Sequence, residues 1–137
     1  MPVVTIEVRK KYTQEQEVAL MTAVYEALQE AFNITTGDIS IRFLAYEPHR
    51  FTVPLTGTTP PMYSHPELFT LISIDCYPGR TLDIKRNLYR LTVNSLEALG
   101  VPKDHIKILV REVPKENWGI RGGQPGSEVT LSYKVEI

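Results

Sequence analysis

The feature that most constrains the fold of this chain is an order of segments that occurs twice. A strand-like segment at 4–8 leads into apolar residues at helical spacing, and a second strand-like segment follows at 39–45. The same order returns at 71–76, 84–99 and 106–110. A strand, a helix and a strand joined in this way form a right-handed crossover between parallel strands. Two crossovers predict an α+β fold, in which a four-stranded mixed sheet carries two helices on one face.

Capping signals bound the two predicted helices. Gln16 follows Thr13 at capping-box spacing, and Thr81 stands at the corresponding place before the second helix. Gly100 suits the left-handed residue that ends a helix. The apolar residues at helical spacing are Val18, Met21, Val24, Tyr25, Leu28 and Phe32 in the first helix, and Ile84, Leu88, Leu91 and Leu99 in the second.

The whole chain, 1–137, is interpreted as a single domain. The internal repeat covers 2–46 and 69–113, a connection covers 47–68, and a C-terminal loop and strand cover 114–137. Five prolines in the connection exclude a regular helix or an interior strand there. Two interpretations stay open for it: a functional lid or subunit-contact arm, or a proline-stiffened surface connection.

The C-terminal part combines a glycine-rich loop with an alternating segment. Trp118 stands close to Gly119, Gly122 and Gly123, which would let the loop fold tightly beside a pocket with Trp118 as an apolar wall. From Val129 to Ile137, apolar and polar residues alternate, which predicts an extra C-terminal strand with one buried face. Such a strand needs a sheet edge to pair with, and a neighbouring subunit is a candidate partner.

Charge and composition exclude several classes of function. A net charge of −1 gives no broad electrostatic basis for binding nucleic acid or a membrane. Without an apolar stretch of transmembrane length or a signal segment, we expect a cytoplasmic protein, with its single Cys76 buried and reduced. His49 and His65 lack metal-ligand spacing with each other or with Cys76, so we expect neither a metal nor a cofactor. His105 is expected to be exposed.

The chain begins Met1-Pro2 at the start of the first predicted strand. Methionine aminopeptidase normally removes a methionine that precedes proline, which would leave a secondary amine on Pro2. Free α-amino groups titrate at about pH 7.7–8.0. An apolar and cationic pocket would lower that pKa, because burial and nearby positive charge both disfavour the protonated form. Pro2 is therefore a candidate general base at neutral pH, although many chains begin in this way by chance.

Taken together, these features resemble the tautomerase superfamily, and within it the double-length branch that includes malonate semialdehyde decarboxylase. The residues that carry the resemblance are Met1-Pro2, Ala31-Phe32, Asp38, Pro48, Arg80-Thr81 and Asn117-Trp118-Gly119. The resemblance implies a homotrimer with its sheets lining the centre and its helices outside. It also implies a pocket in which an N-terminal proline acts as base or acid on a small 2-oxo acid, enol or unsaturated carboxylate.

The resemblance assigns a role to each matching residue. Pro2 matches the catalytic proline, and Asp38 matches the aspartate that positions or activates water in the decarboxylase. Arg80 matches the arginine that holds a substrate carboxylate, a task that suits the permanently charged, bidentate guanidinium. Trp118 matches the pocket tryptophan.

One departure from the decarboxylase pattern concerns a second arginine. The family's Arg-Pro-Arg is Pro78-Gly79-Arg80 in this chain, so the first arginine is replaced by proline. Arg121 in the glycine-rich loop is the first candidate to replace it, ahead of Arg42 and Arg50.

Two hypotheses of different class follow. In the first, the chain is a tautomerase-like enzyme, or a decarboxylase, dehalogenase or hydratase of the same superfamily. In the second, it is a catalytically silent trimeric binding or structural protein. Each site residue also has a structural alternative: Asp38 as a turn cap, Arg80 as a solvated residue at a helix start, Trp118 as core and Arg121 as an exposed loop charge.

Overall fold

The structure is a computed structural model that describes residues 1–35, 37–53 and 63–137. The two repeats form β1-α1-β2 and β3-α2-β4, and two short strands follow. The elements are β1 (Val3–Val8), α1 (Gln14–Phe32), β2 (Ser40–Ala45), β3 (Thr70–Cys76), α2 (Leu82–Ala98), β4 (Ile106–Glu112), β5 (Gly119–Ile120) and β6 (Gln124–Pro125). This arrangement confirms the predicted α+β class.

The four long strands form one sheet in the order β2-β1-β3-β4. Each repeat contributes a parallel pair, and the two repeats meet where β1 runs antiparallel to β3. In that central pair, Val3 lies opposite Asp75 and Val8 lies opposite Thr70. The start of the first repeat is therefore beside the end of β3, where the chain turns towards α2.

The main core lies between the sheet and the two helices, which pack against each other. Val4, Ile6 and Val8 alternate inwards from β1, and α1 and α2 cover them because their buried positions recur at helical spacing. Thr13 begins α1 with the predicted capping box: its hydroxyl accepts from Gln16 N at 3.2 Å, and its own N–H donates to Gln16 Oε1 at 3.0 Å.

The extra strands lie in a different place from the one predicted. They are β5 and β6, which form an antiparallel pair, whereas Val129–Ile137 is not a strand in the described structure. The predicted alternation of burial is nevertheless present along that segment, and Val135 is buried. The segment crosses the start of α2, where Thr81 N donates to Ile137 O at 3.1 Å. Alternating apolar and polar residues indicate only that one face of a segment is buried. Here that face is buried against the start of α2 and not by pairing with a sheet edge.

His105 is the clearest error in the predicted burial, because it is fully buried. Its Nδ1 pairs with Asp104 Oδ1 at 2.6 Å, and its Nε2 accepts from His65 N at 3.0 Å. The ring also packs edge-on against Tyr63. Both ring nitrogens therefore have partners, which removes most of the cost of burying the imidazole. Val18 and Leu99, predicted to lie on buried helix faces, are exposed.

One side chain ties the two ends of the connection together. Arg9, just after β1, donates to Pro48 O at 3.3 Å and to Pro66 O at 3.4 Å. Phe51, Val53, Tyr63 and Phe69 form a second small core between those ends. The middle of the predicted lid or arm, residues 54–62, lies outside the described residues, so this prediction stays untested.

A glycine near the C-terminal segment gives a prediction about packing. A Cβ on Gly126 would overlap the Tyr77 hydroxyl and would lie 2.7 Å from Lys115 O, whereas a Cβ on Gly119 would meet nothing within 4 Å. Overpacking of this kind typically costs about 1–3 kcal/mol. We therefore expect Gly126→Ala to lower the free energy of unfolding by that order and Gly119→Ala to leave it nearly unchanged. Urea denaturation measures both, and equal stabilities would contradict the packing described here.

Candidate active site

The candidate site lies at the end of the sheet where β1 and β2 begin and β3 and β4 end. The parallel pair β1–β2 sets the starts of its strands side by side, and the antiparallel pair β1–β3 adds the end of β3. The turn from β3 into α2 supplies Tyr77 and Arg80. The loop after β4 is held to β3 because Val113 N donates to Cys76 O at 2.8 Å, and it supplies Trp118.

Three of the predicted site residues line one cavity of about 320 Å³: Pro2, Asp38 and Trp118. Pro2 is buried, and its carbonyl oxygen accepts from Ser40 N at 3.2 Å, which fixes the start of β1 against β2. Asp38 lies in the turn that precedes β2. Trp118 is oriented from the opposite wall, because its Nε1 donates to Val113 O at 3.1 Å and its ring packs edge-on against Tyr77.

The amino terminus is partly buried at this cavity. The α-amino nitrogen of Met1 donates to the Tyr133 hydroxyl at 2.7 Å. Burial lowers the pKa of this amine to about 6. The Asp38 carboxylate opposes that shift, and the positive charge of Arg80 adds to it. An amine with this pKa is mostly uncharged at pH 7.

Arg80 is buried at 6% exposure, which contradicts the alternative of a solvated helix-start residue. Its Nη1 donates to Tyr77 O at 3.2 Å, and its guanidinium lies over the Phe32 ring at 4.0 Å. Its Nε and Nη2 are buried without a hydrogen-bond partner among the described residues, and the neighbouring Cys76 thiol is only a weak acceptor. Burial lowers the pKa of Arg80. A bound carboxylate would supply the missing acceptors.

The predicted residues differ in how close they lie to one another. Arg80 does not line the cavity of Pro2, Asp38 and Trp118, but it is close enough to lower the pKa of the Met1 amine. Arg121 is exposed, with φ of 48°, in the turn between β5 and β6. Its charge acts on Tyr77, whose pKa it lowers against the larger raising effect of burial. Arg121 therefore stands at the exposed rim, next to Ile120, which lines the cavity, and is not itself a lining residue.

The other two arginines considered as replacements are further away. Arg42 donates to Thr5 Oγ1 at 2.8 Å on the open face of the sheet, opposite the helices. Arg50 follows Pro48 in a short helical turn at the other end of β1. In the part of the chain that the structure describes, no group of three or more His, Cys, Asp or Glu side chains is arranged to hold a metal ion.

Tyr133 is the site residue that sequence reasoning missed. Its hydroxyl contacts the amino terminus, and both Asp38 and Arg80 act on its pKa. The alternation from Val129 to Ile137 places Tyr133 on the buried side, so the sequence did carry a signal. The alternation predicts strand pairing, in which Tyr133 contributes an apolar ring, and this interpretation gives its hydroxyl no role.

Comparison with known proteins places these features in a family. The sequence model described as "Tautomerase enzyme" matches residues 40–121, which is more than half of the chain. A probable tautomerase of Ralstonia nicotianae is 34% identical over 53 residues, covering 38% of this chain and 76% of its own. A 2-hydroxymuconate tautomerase of Pseudomonas putida is 42% identical over 45 residues, covering 32% of this chain and 71% of its own.

Solved structures share the fold across nearly the whole chain. A malonate semialdehyde decarboxylase superposes with a TM-score of 0.79 at 20% identity, over 90% of this chain and 93% of its own. A fused 4-OT, solved as an asymmetric trimer, superposes with a TM-score of 0.75 at 18% identity, over 91% of this chain and 96% of its own. Among the described residues, no helix is both long and apolar enough to cross a membrane. From the family match and the tautomerase relatives, we conclude that this chain belongs to the tautomerase family of enzymes.

Proposed function

We propose that Met1 is removed and that the amine of Pro2 moves a proton between carbon and oxygen of a small 2-oxo acid, its enol or a related unsaturated carboxylate. The observation that carries this proposal is the burial of the amino terminus beside Arg80. Burial and positive charge both favour an uncharged amine, which is the form that accepts a proton. After removal of Met1, the amino terminus would be the nitrogen of Pro2, a residue that is itself buried.

The residues around this amine would have separate roles in binding the substrate and in moving the proton. The two unpartnered nitrogens of Arg80 would hold the substrate carboxylate, since a buried donor without an acceptor is costly until one is bound. Trp118 would form the apolar wall against the rest of a small substrate. Pro2 would take a proton from the carbon next to the carbonyl, and the electron pair of the broken C–H bond would move towards the carbonyl oxygen. Return of the proton to the oxygen would complete the tautomerisation.

Asp38 favours a second candidate reaction in which the amine acts protonated. Its carboxylate raises the pKa of the amine at the amino terminus, which stabilises the acid form. A protonated Pro2, with a water held by Asp38, would suit the decarboxylase or hydratase chemistry of the superfamily. The replacement of the second family arginine by Pro78 weakens this candidate, and Arg121 at the rim would have to compensate.

The test of Pro2 compares processed and unprocessed protein. Processed protein, verified by intact mass, should act on at least one of phenylpyruvate, 2-hydroxymuconate, a 3-haloacrylate or malonate semialdehyde. If Pro2 is the base, kcat/KM should rise with pH through the pKa of the amine, because only the uncharged form accepts a proton. If Pro2 acts as an acid, kcat/KM should fall across the same range.

The matched control is the same chain produced with methionine aminopeptidase inhibited. There Met1 is retained and Pro2 is an amide without basicity, so its activity should be lost although every other side chain is unchanged. Equal rates in the two forms would exclude Pro2 chemistry. Processed, folded protein that is inactive on the whole panel would favour the catalytically silent binding protein.

The electrostatics of the amine give a second prediction, for the chain that retains Met1. Arg80→Met should raise the pKa of the amine from about 6, because Arg80 lowers it, and Asp38→Asn should lower it, because Asp38 raises it. Arg121→Met removes the same charge as Arg80→Met at the rim and should leave the pKa unchanged. An NMR titration of isotopically labelled Met1 measures all three. Equal shifts for Arg80→Met and Arg121→Met would show that overall charge, not the local site, sets the pKa.

We further propose that the chain forms a homotrimer through the open face of its sheet. That face carries the bidentate pair of Arg111 and Asp75, together with exposed Leu44 and Leu109. Light scattering should give the mass of three chains. Leu109→Lys should dissociate the assembly, whereas Leu99→Lys, at the end of α2 and equally exposed (47% against 46%), should not. A stable monomer of the unaltered chain at micromolar concentration would rule out this assembly.

A further inference from the structure

We propose that Tyr133 is a further catalytic residue, whose hydroxyl donates a hydrogen bond to the 2-oxo or enolate oxygen of the substrate. This inference rests on the proposed function, because the space for that oxygen opens only when Met1 is removed. It narrows the substrate class to acids with an oxygen on the carbon next to the carboxylate.

The position of the Met1 amine carries the inference. This nitrogen lies 2.7 Å from the Tyr133 hydroxyl, inside the region shared by Asp38 and Arg80. It is joined to the nitrogen of Pro2 through two carbon atoms, the carbonyl carbon and the α-carbon of Met1. Removal of Met1 empties the space that these atoms occupy. The Tyr133 hydroxyl then faces that space, beside the new amine of Pro2.

A 2-oxo acid can fill that space with atoms in the same order. Its C3, which loses the proton, would lie nearest Pro2 N in non-bonded contact, its C2 would follow, and its oxo oxygen would lie on the side of the vacated Met1 nitrogen, within reach of the Tyr133 hydroxyl. The carboxylate on C2 would then point towards Arg80, whose charge acts on the Tyr133 hydroxyl. A simple carboxylate without the oxo group would engage Arg80 and leave the Tyr133 hydroxyl bonded only to the Asp38 carboxylate.

The chemistry of Tyr133 suits a donor. Burial raises the pKa of its hydroxyl, and the Asp38 carboxylate raises it further, so the phenol keeps its proton at neutral pH. A tyrosine hydroxyl has one proton to donate, and that proton is shared with the Asp38 carboxylate here. When the Met1 amine leaves, the O–H can turn from Asp38 to a substrate oxygen that takes the place of the amine. As Pro2 N takes the C3 proton, the C–H bond breaks, a C2–C3 double bond forms and the oxo oxygen becomes negative. The Tyr133 O–H bond stays intact while its hydrogen bond to that oxygen strengthens.

A donor aimed at developing charge acts mainly on kcat. Loss of one such donor typically costs about 100-fold. With phenylpyruvate, or with any other 2-oxo acid or enol that the processed protein turns over, we expect Tyr133→Phe to lower kcat by about that factor with little change in KM. Tyr46→Phe is the matched control, because the Tyr46 hydroxyl donates to Glu7 at 2.9 Å, away from the site. It should leave kcat unchanged.

An equilibrium measurement tests the same claim without turnover. Phenylglyoxylate has the oxo oxygen but no proton on the next carbon, and phenylacetate lacks the oxo oxygen. By calorimetry, processed protein should bind phenylglyoxylate more tightly than phenylacetate. Tyr133→Phe should abolish that preference, while Arg80→Ala should weaken the binding of both acids. Thermal unfolding of each variant confirms that it is folded.

The outcomes separate the inference from the proposed function. If Tyr133→Phe keeps both kcat and the preference for phenylglyoxylate while retention of Met1 abolishes activity, Tyr133 is not a catalytic residue and the Pro2 mechanism stands. If the processed protein binds both acids equally, or binds neither, the assignment of Tyr133 is overturned. If retention of Met1 leaves activity intact, the Pro2 mechanism fails, and the preference for phenylglyoxylate still decides whether Tyr133 contacts the oxo group.

Discussion

The antiparallel contact between β1 and β3 is the constraint on which the rest of this molecule depends. Each repeat alone would place its own strand ends together, but the central pair also sets the start of β1 against the end of β3. The amino terminus from one repeat thereby meets Arg80 from the other. The candidate site is therefore a product of the doubling itself, because neither repeat contains both the amine and the guanidinium.

The site combines charged groups with few compensating partners. Within the described part of the chain, Arg80 has the Phe32 ring below it and one carbonyl oxygen as acceptor, and its Nε and Nη2 have at most the weakly accepting Cys76 thiol beside them. The amine near it is held largely uncharged by burial. Both conditions raise the free energy of the empty site, and a bound anion would relieve them, which is the arrangement that the proposed carboxylate recognition requires.

The fold was predictable from the sequence because its signals are local and repeated. The capping threonines, the helical spacing and the strand-like segments each occur twice, and together they predict the four-stranded sheet and its helices. Pro2, Arg80 and Trp118 could be nominated from the resemblance, but their distances could not, since Arg80 approaches the amine across the sheet. Two predictions were wrong for one reason, namely that burial depends on partners distant in sequence. The segment from Val129 to Ile137 packs on the start of α2, and His105 is buried with the backbone of His65 as a partner.

The two hydrogen bonds from Arg9 to Pro48 and Pro66 have a consequence for protein engineering. They join the two ends of the connection from the residue that follows β1, so they favour the same separation of the ends when the chain between them is lengthened. Loop closure then costs only about 0.6 kcal/mol for each doubling of that length. The connection is therefore a natural insertion point for a reporter peptide or a small carrier domain, and Arg9 must be kept unaltered in any such fusion.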